Sequence, residues 1–269
     1  HGFNEDDYTI VHKSAAHKQP HSLPIKRNAQ MLIVGHRGAR AEAPENTLSG
    51  FRHLHALGVR AVEFDIQVSG DGELVIIHDA DLQRTSTGQG SVHDWPASTL
   101  AALDACHRAF PTWPVCEGIP CLDEVLALLT DFMHIELEVK ARTPEHEAVV
   151  IAKLPALWEK HRLAGRARTT SFNPRYLHGM LQAAPHIPRG FLFEEDFAGD
   201  AIAMATAVAA TSLGPHQRRC TPELIAEAHG AGLIVSTWTV NDQARALELA
   251  GMGVDAIITD VPTQALSWF

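Results

Sequence analysis

Positive charge is scarce in this chain of 269 residues: Lys and Arg number 22 against 32 Asp and Glu, a net charge of −10 at pH 7. That balance leaves no basic footprint for nucleic acid or anionic lipid, so an anionic ligand must be met by a local group of cations. Long apolar runs are also missing. The longest mostly apolar stretch, Ala201 to Ala210, falls well short of the ~20 residues of a membrane span. Cysteine is sparse, and Cys106, Cys116, Cys121 and Cys220 form no C-x-x-C pair and no disulfide framework. Reduced thiols and a cytoplasmic address are expected. The opening HGFNEDDYTI is acidic and lacks the basic and apolar regions of a secretory signal. No G-x-G-x-x-G follows the first predicted strand, which removes the support for a dinucleotide crevice in a doubly wound sheet.

What is present is a 45% apolar chain, enough for a sizeable core. Residues 1–30 are polar, carry His1, His12, His17 and His21, and show neither helical nor strand periodicity. They are read as a tail, disordered or added ahead of a native start at Met31. From Met31 on, short Val- and Ile-rich runs alternate with helical patterns. MLIVG, AVEFDIQV, MHIELEVK, RARTTSF, RGFLF, VAATSL, LIVSTWTV and VDAIITD give eight strands, and the expected fold is an α/β (β/α)8 TIM barrel over residues 31–269. One interval breaks the rhythm: residues 80–121 are rich in Gly and Pro with a single helical patch near Ala97 to Ala105. It is expected to be a small inserted subdomain after the second strand region, over the barrel mouth.

Chemistry in such a barrel sits at the C-terminal strand ends, and the polar residues of this sequence fall there. His36 and Arg37 end the first strand, Glu63 and Asp65 lie on the second, His78 and Asp79 follow, and Glu138 and Lys140 end the third. Because residues i and i+2 share a strand face, Glu63 with Asp65, and Glu138 with Lys140 and Glu136, point inward together. Three carboxylates converging without a cluster of cations would repel one another, and one hard divalent cation, Mg2+ or Ca2+, relieves that. Arg37 and Lys140 then meet an anion, and His36 and His78 exchange protons near neutral pH. Asp79 is read as orienting His78, Glu136 as a supporting core group, and Asn241 and Asp260 as helix caps. The set describes phosphoryl transfer.

GHRGARAEAPENTLSGF, VEFDIQVSGDGELVIIHDADLQRTSTGQG, ELEVK, TTSFNP, VSTWTVN and VDAIITDVP together resemble the glycerophosphodiester phosphodiesterase family over nearly all of residues 31–269. The resemblance implies hydrolysis of glycerophosphodiesters to an alcohol and glycerol 3-phosphate. It puts the catalytic histidines at His36 and His78, the metal carboxylates at Glu63, Asp65 and Glu138, and the phosphate contacts at Arg37 and Lys140. Glu45, Phe172 and Trp238 match positions bordering the pocket, the aromatics against the glycerol carbons. Two other functions fit the same residues: a phospholipase D-like hydrolase of lysophospholipids, with Trp95, Phe110 and Trp113 near the mouth, and a non-catalytic phosphodiester-binding module.

Overall fold

Strand β2, Ala61–Val68, is buried along its whole length although every second residue is polar. A barrel strand explains this. Its outward residues Val62, Phe64, Ile66 and Val68 join the main apolar core beneath the helices, and Ala61, Glu63, Asp65 and Gln67 face the barrel interior. Strand β4, His134–Val139, repeats the pattern, with Ile135, Leu137 and Val139 outward. The computed structural model describes residues 31–269; the tail expected over residues 1–30 lies outside them.

The other strands are β1 (Leu32–His36), β3 (Leu74–Ile76), β5 (Ala167–Ser171), β6 (Arg189–Phe193), β7 (Ser212–Pro215), β8 (Ile234–Thr237) and β9 (Ala256–Thr259). Eight of the nine described strands run parallel, and the pairing of β1 with both β2 and β9 closes the ring. Strand β3 lies outside it, antiparallel to β2 in a hairpin. Helices α1 (Leu48–Ala56), α3 (Leu122–Leu128), α4 (Pro144–Lys160), α5 (Pro174–Ala183), α6 (Ala201–Ala207), α7 (Pro222–Gly230), α8 (Gln243–Met252) and α9 (Pro262–Ala265) alternate with the barrel strands, and α2 (Ala97–Ala101) belongs to the insertion. Several begin on a polar cap followed by proline, as at Thr143-Pro144, Asn173-Pro174 and Thr221-Pro222. The cap satisfies a free N–H, and proline sits where no N–H is needed. The barrel is as expected, and only one strand is displaced: the expected VAATSL begins too early. Asp200 caps α6, the alanine-rich run continues as helix to Ala207, and pairing starts at Ser212, because alanine favours helix over strand.

Inside the ring, Val34, Ala61, Ala256 and Ile258 form a small apolar floor touched by Trp238. The polar strand ends rise above it. Gly35 precedes His36 because no side chain fits there: a Cβ would lie 2.1 Å from Gly38 O. The insertion shares a small core with the β3 segment, Leu82, Val92, Leu100 and Ile119 packing with Val75 and Ile77. It is tied to α1 through Glu117, whose carboxylate accepts from Ser49 and Arg52. It flanks the mouth and does not line the cavity: Trp113 packs on α1, donating to Ser49 Oγ at 3.1 Å, with Phe110 against it, and Trp95 donates to Gln89 O within the insertion.

Candidate active site

A cavity of about 260 Å3 opens at the C-terminal end of the barrel. His36, Arg37, Glu63, His78, Glu138, Lys140, Phe172 and Trp238 line it, all singled out from the sequence, and so does Glu136. No residue of 80–121 does. Asp65 stands just behind the wall with no exposure. Register explains the grouping. In the parallel pairing of β2 with β4, Glu63 is level with Glu136 and Asp65 with Glu138, while His36 is level with Glu63 across β1 and β2.

Glu63, Asp65 and Glu138 each offer an oxygen within 4.8 Å of the others'. Among the described residues the buried Glu63 Oε1 meets no donor at all, and Asp65 Oδ1 and Glu138 Oε1 meet only the single ammonium of Lys140. Buried oxygens left so are costly, and an all-oxygen set of this kind suits a hard divalent cation. The structure corrects one expectation, since the carboxylates are not without cations. Arg37 Nε lies 3.1 Å from Asp65 Oδ2 and Lys140 Nζ 3.4 Å from Asp65 Oδ1, with Lys140 also against Glu138. Burial pushes the Asp65 carboxyl up, but Lys140 and Arg37 together bring it far below the usual range. They do not balance the cluster. Burial, then the charges of Asp65 and Glu138, drives the Glu63 carboxyl well above its ordinary value. Burial pushes that of Glu138 up to about 7, against the pull of Lys140. Two of three carboxylates therefore still call for positive charge.

Arg37 adopts a left-handed backbone, φ 51°, which costs a non-glycine residue about 1 kcal/mol. Its N–H to Glu63 O (2.8 Å) and its carbonyl to Asn46 N–H (2.9 Å) hold it there. Glu45 lies behind Arg37, not in the cavity lining; it accepts from Arg37 Nη1 at 2.9 Å and from both Arg84 terminal nitrogens. Asn46, missed in the sequence, donates to Asp65 Oδ2 at 2.9 Å.

Each histidine has its own carboxylate. Asp79 Oδ1 accepts from His78 Nδ1 at 2.6 Å, an orienting contact that adjacency in sequence allows but does not guarantee. Asp260 Oδ1 accepts from His36 Nδ1 at 2.5 Å, which corrects the reading of Asp260 as a cap. Helix α9 has no side-chain cap, and α8 is capped by Asp242, not Asn241. Asn241 instead donates to Asp260 Oδ2 at 2.8 Å and accepts from the Asp260 N–H. Ring closure carries the missing signal: Gly35 pairs with Thr259, so the next residues, His36 and Asp260, become neighbours. With Nδ1–H given to a carboxylate, each ring keeps Nε2 for proton exchange. Burial lowers the pKa of both imidazoles, partly opposed by the Asp260 hydrogen bond at His36 and by the Asp65 charge at His78. Opposite them Phe172 and Trp238 meet edge to face, centroids 5.4 Å apart. Lys140 Nζ lies 5.6 Å from the Phe172 centroid.

The fold and the sequence recur in known proteins. The model of the glycerophosphoryl diester phosphodiesterase family matches residues 36–264. The chain belongs to this family. A glycerophosphodiester phosphodiesterase of Caldanaerobacter subterraneus subsp. tengcongensis is 32% identical over 233 residues, 86% of this chain and 94% of that protein. Among solved structures, an Oleispira antarctica phosphodiesterase in complex with the product sn-glycerol-3-phosphate is similar with a TM-score of 0.82 and 29% identity, covering 88% of this chain and 96% of the other. The glycerophosphodiester phosphodiesterase of Agrobacterium tumefaciens is similar with a TM-score of 0.75 and 28% identity, covering 87% and 98%. Both histidines, all three carboxylates, Arg37 and Lys140 lie within the matched span of this family member. Among its described residues, no helix is long and apolar enough to cross a membrane, and all four cysteines are unpaired.

Proposed function

We propose that this phosphodiesterase hydrolyses glycerophosphodiesters to an alcohol and glycerol 3-phosphate, with His36 and His78 as acid and base and one divalent cation, Mg2+ or Ca2+, held by Glu63, Asp65 and Glu138. One observation carries the reading: three buried carboxylates with oxygens within 4.8 Å of one another and two carboxylate-oriented imidazoles gather at one cavity. When bound, the cation supplies charge stabilisation at a phosphate oxygen. Arg37 and Lys140, on the same wall, offset the negative charge that grows on phosphorus. One imidazole takes the proton of the attacking hydroxyl through Nε2. The other protonates the departing alkoxide, a poor leaving group without that proton.

In this reading the first nucleophile is the substrate's own glycerol 2-hydroxyl. Its oxygen bonds to phosphorus as the alcohol leaves, and water then opens the cyclic phosphate with the two imidazoles exchanging roles. Intramolecular attack has the advantage of proximity and explains why a glycerol end is required. Orientation of both histidines by carboxylates favours catalysis over binding alone. The insertion's aromatics pack away from the cavity, which favours a small diester over a lysophospholipid. Residues 31–269 then act as one barrel domain with 80–121 inserted. The test is product analysis with glycerophosphocholine: glycerol 3-phosphate and choline are expected, lost in excess EDTA and regained with Mg2+ or Ca2+. Phosphocholine as product, or full turnover in EDTA, contradicts it.

A further inference from the structure

The cavity has two unlike walls. Strands β1, β2 and β4 carry the histidines and carboxylates described above, and the facing wall from β5, β6 and β8 carries Phe172, Leu192, Glu194 and Trp238. Nothing in the proposed chemistry uses Glu194. It directly follows β6, which stands opposite β1 in the ring. Its neighbour Glu195 is paired with Arg218 at 3.3 Å, whereas no Lys, Arg or His among the described residues lies within 4.0 Å of the Glu194 carboxylate. An unpaired carboxylate at the lining of a site for a phosphodiester anion repels that substrate, unless the far end of the substrate carries a positive charge.

Trp238 adds the second half of the argument. Its Nε1 donates to Gly214 O at 3.0 Å, and it forms T-shaped pairs with Phe172 and His216 at 5.4 and 5.2 Å, so the indole is a fixed part of the cavity wall that Glu194 also lines. A carboxylate and a held indole lining one cavity are recognition chemistry for an ammonium or trimethylammonium group, which gains from the ring and from the opposite charge. We propose that Glu194 and Trp238 form a subsite for a cationic leaving alcohol, making Glu194 a specificity residue that favours zwitterionic glycerophosphodiesters. This rests on the reading of the site as a glycerophosphodiesterase. Glu194 is exposed to solvent, so screening holds the preference to about tenfold.

The test compares kcat/KM for glycerophosphocholine with that for glycerol phosphate 3,3-dimethylbutyl ester, the same shape with carbon in place of the quaternary nitrogen. The ratio is expected to be about 10 at low salt, to fall to about 2 in Glu194→Gln, where the indole remains, and to shrink in wild type as salt is raised. A wild-type ratio near 1 with both esters cleaved overturns the subsite and leaves the parent reading standing. A ratio unchanged in Glu194→Gln also overturns it, as does an equal fall for both esters, which would mean that Glu194 contacts the glycerol end. Cleavage of neither ester by wild type overturns the parent reading and the subsite with it.

Discussion

The seam where β9 meets β1 and the root of the insertion after β3 each deliver one imidazole to the same cavity, by opposite means. At the seam, His36 is buried and its partner Asp260 lies 224 residues away in sequence, fixed by ring closure and by Asn241. At the root, His78 is about 30% exposed and its partner is the next residue, Asp79, which Arg84 also holds. A local pair at a partly exposed ring tolerates loss, since water can accept from His78 Nδ1, whereas the buried pair made by closure has no such replacement. Glu45 joins the two regions, accepting from Arg37 at the seam and Arg84 at the root.

The largest effect is expected from the imidazoles themselves. His36→Ala and His78→Ala should each lower kcat by roughly 100-fold or more, the ordinary share of a general acid or base. Turnover near that of wild type in either variant would remove that histidine from the chemistry. The partners sharpen the contrast. An amide can face Nδ1 with its N–H and so favour the wrong tautomer. On that basis Asp260→Asn should cost about 100-fold in kcat and Asp79→Asn about tenfold, measured as glycerol 3-phosphate release. Equal losses would erase the distinction between the two regions.

A smaller effect concerns the joint. Burial alone would raise the Glu45 carboxyl, but hydrogen bonds and charge from Arg84 and Arg37 bring it down from 4.5 to about 2. A group with a depressed folded pKa stabilises the protein fully above its unfolded value and loses that contribution as pH falls through the folded value. Glu45→Gln is therefore expected to cost on the order of 3 kcal/mol at pH 7, seen as a lower Tm. The gap from wild type should close between pH 4.5 and about 2. A gap that stays constant down to pH 2 would mean that shape, not charge, makes the joint.

The same contrast decides what sequence could reveal. Residues placed by alternation were legible: Glu63, Asp65, Glu136 and Glu138 needed only the period of two and a barrel to put them on one wall. The contact of His78 with Asp79 was suggested by adjacency alone. Asp260 and Asn241 were misread as caps because their role depends on the last strand lying beside the first, a relation that no local window contains. The start of β7 was misjudged for a related reason: Val208 to Ala210 belong to the end of α6 and the turn, and only pairing with β6 shows where the strand begins. The cations on Asp65 could be named but not seated, since ion pairing depends on side-chain reach in three dimensions.

Titration calorimetry of Mg2+ and Ca2+ into the metal-free protein examines the acidic triad itself, free of any assumption about substrate. One ion per chain should bind wild type, and Glu138→Gln, which keeps the side chain's shape and removes its charge, should weaken binding at least tenfold. Undiminished affinity in Glu138→Gln, or no binding of either ion to wild type, would contradict a cation held by Glu63, Asp65 and Glu138.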